Sequence, residues 1–250
     1  MKIYIEKPCL INEMEKKSIH LNPIFLSMED VSVSDRLFLL CRGGEDNGNG
    51  GIASTIVYES IRTYFNTFAD LEKEITADFI EKAIRYAEIK LEEYLEENPE
   101  RKGVATLGLL YFSSSGVLGA CIGPFQILRI RDGEVLFKTK NKCKDGKSLK
   151  GNVLQGASLP VNIDIVKIDD IKPNDQFLVC STEILEHIPE ALLSEILSQK
   201  NNAEVKMNKI RELYLQKTAN YFSACLVPVF DVQYTKNFNQ ILASFLSAFM

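Results

Sequence analysis

Between Ala105 and Thr139 the chain leaves the helical period for a period of two, and no other stretch limits its fold as much. Ala105 to Phe112, Val117 to Ile122, Gln126 to Arg131 and Glu134 to Thr139 each read as a strand bounded by turn residues. The joints are short: Ser113-Ser114-Ser115-Gly116, Gly123-Pro124 and Asp132-Gly133. Asp-Gly tolerates the positive φ of a type I′ turn, so the last joint is a strong hairpin signal. The segment therefore predicts successive antiparallel hairpins, the Gly123-Pro124 joint included.

Helices and further strands flank this core. Met1 to Glu6 alternates as a first strand, and Pro8 to Ser34 reads as irregular. Leu37 to Cys41 is a short apolar run of the kind that forms a buried strand. Ile52 to Phe68 carries apolar residues at helical spacing. Thr76 to Glu97 is the clearest helix, with Phe79, Ile80, Ala83, Ile84, Ala87, Leu91 and Leu95 on one stripe. Asn98-Pro99 ends it. Asn162 to Ile168, Gln176 to Cys180 and Tyr221 to Phe230 read as strands, and Pro189 to Ser198 and Ala203 to Thr218 as helices. Two helices early, two late and antiparallel strands between them predict two sheets face to face with helix pairs outside.

Composition narrows the setting. A 250-residue chain with 46% apolar residues can bury a substantial core. Its net charge of −5 and the lack of a basic stripe argue against nucleic-acid binding. The lysines between Lys138 and Lys150 are interrupted by Asp145 and Gly146 and read as a solvated loop. None of the six cysteines forms a C-x-x-C pair, which speaks against a zinc ribbon. Cys41, Cys121, Cys180 and Cys225 sit in apolar runs, where a free thiol packs as a small hydrophobe. The N-terminus has no signal-peptide pattern, and no window approaches the length of about 18 apolar residues that a membrane span needs. A reducing cytoplasm is the expected location.

The candidate functional segment is Leu37 to Ser54, LFLLCRGGEDNGNGGIAS. An apolar strand, a loop with five glycines and a helix start form the architecture of many phosphate sites. Gly48-Asn49-Gly50-Gly51-Ile52-Ala53 also matches G-x-G-x-x-A, the dinucleotide fingerprint. That fingerprint follows its strand directly, whereas here six residues intervene. It also needs an acid ending a second strand about 20 residues on, where this chain is helical.

Five short blocks in order give the chain a resemblance to the metal-dependent type 2C (PPM-type) protein Ser/Thr phosphatases, over about residues 1 to 232. The first is Leu40-Cys41-Arg42-Gly43 through Ile52-Ala53-Ser54, similar to a strand ending Cys/Ala-Asp-Gly, a Gly-rich loop and a helix near Val-Ala-Ser. Val104-Ala105-Thr106-Leu107 resembles a Gly-Thr-Thr-like string after the long helix. Ala120-Cys121-Ile122-Gly123-Pro124-Phe125-Gln126, then Arg131-Asp132-Gly133, resembles the hairpin A-x-V/I-G-D-S-R followed by Arg-Asp-Gly. Asn152 to Ala157 resembles N-x-L-T-R-A-L, and Lys172 to Ser181 resembles K-P-G-D-x-x-L-L-C-S. The implied fold is α+β, a four-layer α-β-β-α sandwich of two mainly antiparallel sheets. It would span residues 1–235, with 236–250 as a C-terminal amphipathic helix.

The same resemblance implies a two-metal site, Mn or Mg, held by carboxylates from several places. This chain departs from that pattern at each of them. The first metal Asp corresponds to Arg42, next to Gly43, and the second Asp-Gly to Thr182-Glu183. The terminal Asp-Asn falls at Asn220, the early acidic string near Pro23, and the hairpin Asp-Ser has become Pro124-Phe125. A guanidinium neither deprotonates nor ligates a cation. The expected protein is thus a pseudophosphatase, with no catalytic residue, no metal ligand and no cofactor, acting as a binding or regulatory module. The alternative is a working phosphatase with relocated ligands such as Glu45, Asp46 or Glu183. A cysteine phosphatase would need C-x5-R, which neither Cys41 nor Cys180 offers, and His20 and His187 lack catalytic spacing.

Two surfaces could bind. Arg42 with Gly43, Gly44, Gly48 and Gly50 could meet an anion; otherwise Arg42 pairs with Glu45, Asp46 or Glu183, because a buried guanidinium without a partner is too costly. The C-terminal stripe Phe238, Ile241, Leu242, Phe245, Leu246 and Phe249 could dock on the chain itself, on a protein partner or on a second copy. Its polar face lacks the lysines of a membrane-surface helix.

Overall fold

Strands that bury both faces read as unbroken apolar runs, and such strands form the middle of this molecule. The structure, a computed structural model, describes residues 1–13, 36–43, 50–72, 74–101, 103–140, 153–156, 161, 163–218 and 222–234. The strands are β1 (Lys2–Ile5), β2 (Cys9–Glu13), β3 (Arg36–Gly43), β4 (Ala105–Ser113), β5 (Gly116–Ile122), β6 (Phe125–Arg131), β7 (Glu134–Lys138), β8 (Asp164–Ile168), β9 (Gln176–Ser181) and β10 (Phe222–Gln233). The helices are α1 (Gly50–Phe68), α2 (Ala77–Glu97), α3 (Thr182–His187), α4 (Glu190–Ser198) and α5 (Ala203–Lys217).

The strands form two antiparallel sheets. One runs β1-β10-β9-β6-β7, with β2 also paired to β10; the other runs β3-β4-β5-β8. Alternation sorts the side chains into three apolar layers. On β3, Leu37, Leu39 and Cys41 face α1 and α2. Phe38 and Leu40 face the other sheet, meeting Phe125, Phe177 and Val179. Leu178 and Cys180 of β9 face α3, α4 and α5. The sheets approach closely at Gly108, where a Cβ would stand 2.6 Å from Val179 Cγ1. This is the expected α+β four-layer sandwich.

Local signals worked where the expected chemistry was local. Thr76 accepts a hydrogen bond from the Phe79 amide and caps α2. Asp132 and Gly133 adopt φ of 51° and 82° and close the β6–β7 hairpin. The buried thiols of Cys41, Cys121, Cys180 and Cys225 pack in the strands.

Two expectations need correction, and one short helix was not foreseen. Gly123-Pro124 does not close a hairpin: β5 pairs with β4 and β8, whereas β6 pairs with β9 and β7. Gly123, at φ 80°, turns the chain from one sheet into the other so that Phe125 enters the layer between them. Cys9–Glu13, read as irregular, is a strand paired to β10. The short helix α3 had no sequence signal, because six residues hold too few apolar positions to show a period. Residues 236–250, with the apolar stripe, lie outside the described residues. Among the described residues no helix is long and apolar enough to cross a membrane.

Candidate functional site at the mouth of the sandwich

Arg42 is the last residue but one of β3 and continues the row of Phe38 and Leu40 toward the space between the sheets. Its backbone pairs with Thr106 of β4, and the Thr106 hydroxyl donates to the Arg42 carbonyl at 3.2 Å. The opposite sheet contributes the end of β9. Ser181 Oγ accepts from the Ser223 amide at 3.2 Å, and the chain then turns into α3. The Thr182 amide donates to the Pro124 carbonyl at 2.9 Å, tying α3 to the β5–β6 crossover.

This geometry places Glu183 across from Arg42. Arg42 Nη1 donates to Glu183 Oε1 at 3.0 Å, with the side chains 14% and 25% exposed. A pair so covered is screened less than a surface ion pair, yet it keeps some water. The second oxygen, Glu183 Oε2, is buried with no hydrogen-bond partner among the described residues. Beside the pair lies an open cleft of about 920 Å³, lined by Gln126, Lys138, Thr139, Lys140, Thr182 and Leu185 among others.

Of the residues singled out from the sequence, Arg42, Gly43, Thr182 and Glu183 converge here, together with Pro124. Gly50 opens α1. Pro23, Gly44, Glu45, Asp46, Gly48 and Asn220 lie outside the described residues. Of the two roles open to Arg42, the structure contains the ion pair with Glu183.

The described residues at the mouth do not fit a pair of divalent cations. A guanidinium stands at the strand end, and the facing carboxylate is already engaged by it. Among the described residues no three His, Cys, Asp or Glu side chains group as metal ligands would. The neighbouring thiols offer no nucleophile either, since burial pushes the Cys41 and Cys180 thiols far up. His187 packs its ring edge-on against Tyr214, 5.5 Å between centroids, at the last turn of α3.

Sequence reasoning missed a second polar cluster at the other end of the sandwich. Asp175 is fully buried and accepts from Arg129 Nε and Nη2 (3.1 and 2.8 Å), Arg131 Nε and Nη2 (2.7 and 3.0 Å) and the Lys172 amide (2.8 Å). Both arginines also donate to the Asp170 carbonyl. The available signal was two arginines, two places apart, on a largely apolar strand, since they needed a buried acceptor.

No protein-family model and no curated protein sequence matches the chain. Solved structures do. A bacterial serine phosphatase aligns with a TM-score of 0.74 at 13% identity, covering 93% of this chain and 100% of its own. The catalytic domain of PstP, a Mycobacterium tuberculosis Ser/Thr phosphatase, was solved in complex with two manganese ions. It aligns at 0.69 and 15% identity, covering 91% and 99%. The PPM Ser/Thr phosphatase MsPP of Mycobacterium smegmatis aligns at 0.64 and 15%, covering 91% and 99%. The layers, the crossovers and these likenesses agree, and the chain has the fold of the PPM-type Ser/Thr phosphatases.

Proposed function

We propose that this chain is a pseudophosphatase, a binding or regulatory module that uses the PPM sandwich without its metal chemistry. The observation that carries this reading is the Arg42–Glu183 pair at the mouth. A two-metal mechanism concentrates four positive charges between carboxylates. A single dication about 4 Å from a guanidinium would meet roughly 8 kcal/mol of repulsion at an effective dielectric constant of about 20. The Arg42 charge cannot be shed to relieve this, because guanidinium stays protonated. The cleft beside the pair is the natural place for a protein partner, and the cytoplasm is the proposed setting.

Calorimetric titration with Mn²⁺ and an assay with an aryl phosphate test the reading together. The pseudophosphatase takes up no Mn²⁺ and hydrolyses nothing. Mn²⁺ uptake with hydrolysis abolished by chelator would establish the alternative, a working phosphatase with relocated carboxylates.

A further inference from the structure

The Arg42–Glu183 contact joins residues 141 positions apart, and each belongs to a different sheet system. Arg42 ends β3 of the β3-β4-β5-β8 sheet, and Glu183 lies in α3, which leaves β9 of the other sheet without an intervening loop. We infer that this ion pair is a metal-free clasp across the mouth, holding the two sheets together where dications bridging their edges would otherwise do so. The inference rests on the pseudophosphatase reading for its metal-free part.

Three features support it. The Arg42 backbone is braced by β4, through the ladder and through the Thr106 hydroxyl, so its side chain starts from a rigid strand. Glu183 is braced as well, because the amide before it is bound to Pro124. Both side chains are mostly covered, so the contact is made between preorganised groups and not between two solvated arms.

A double-mutant cycle in chelator tests the clasp: Arg42→Ala, Glu183→Ala, the double variant and the charge swap Arg42→Glu/Glu183→Arg, read by thermal melting. Each single variant is expected to lower Tm by about 3–6 °C. The double variant should lose no more than the worse single, and the swap should recover part of the loss. Amide exchange supplies a second readout. In Arg42→Ala the α3 amides, on the far side of the contact, should exchange faster. Additive Tm losses, or α3 exchange unchanged in Arg42→Ala, overturn the clasp. Where an alanine variant fails to fold, Arg42→Gln and Glu183→Gln give the same cycle. Mn²⁺ uptake by the wild type would sink the pseudophosphatase reading and leave the cycle's result on the clasp intact, because the cycle is run without metal.

Discussion

The two ends of the sandwich both carry an arginine–carboxylate contact, and they are built on opposite terms. At the far end, one fully buried aspartate receives two arginines and a backbone amide. At the mouth, Arg42 meets one Glu183 oxygen, and the other oxygen has no hydrogen-bond partner among the described residues. A buried charge is retained when its hydrogen bonds are nearly complete. The far end meets that condition and reads as scaffold. The mouth falls short of it and keeps an exposed cleft beside it, as a place of interaction can.

This contrast can be broken by measurement. Asp175→Ala leaves two arginines facing an emptied buried site and should cost about 3–5 kcal/mol in urea unfolding. A loss under about 1 kcal/mol would show the far-end network to be ornamental. Gly108→Val, in the layer between the ends, forces a methyl against Val179. It should cost about 1–3 kcal/mol, and a neutral result would mean that the sheets separate easily.

Alkaline pH probes the strand layers next to the mouth. Burial raises the Cys41, Cys180 and Cys225 thiols above their ordinary value of 9.0. In the unfolded chain they ionise near that value, so the unfolded state holds fewer protons above it. Stability is therefore fully present below pH 9 and falls as pH rises, by about 1.4 kcal/mol per thiol at pH 10. Unfolding midpoints that stay level between pH 8 and pH 10 would contradict the burial of these thiols.

The smallest effect belongs to the mouth. Arg42→Ala should cost about 1–2 kcal/mol, less than Asp175→Ala, because the pair is less buried and retains some water. Its cost should also shrink in 0.5 M salt, whereas that of Asp175→Ala should not. Equal costs for the two variants would erase the distinction between the ends.

Much of this molecule could be read from residues in order. The β6–β7 turn, the Thr76 cap and the apolar layers all follow from chemistry carried by a few residues. The failures share a different origin. Gly123-Pro124 looked like a hairpin because two strands flank it, yet each strand found its partners elsewhere. Nothing local marked Asp175 as the acceptor that β6 meets with Arg129 and Arg131.

By itself the sequence determined most of the strands and helices, β2 and α3 excepted, which faces they bury, and that a fixed positive charge stands at the end of β3. Tertiary structure alone decided how the strands divide between two sheets and which charges meet. Period and turn chemistry act over a few residues, whereas sheet partnership and ion pairing depend on contacts between distant residues, Lys2 with Gln233 and Arg42 with Glu183 among them, made only when the layers close.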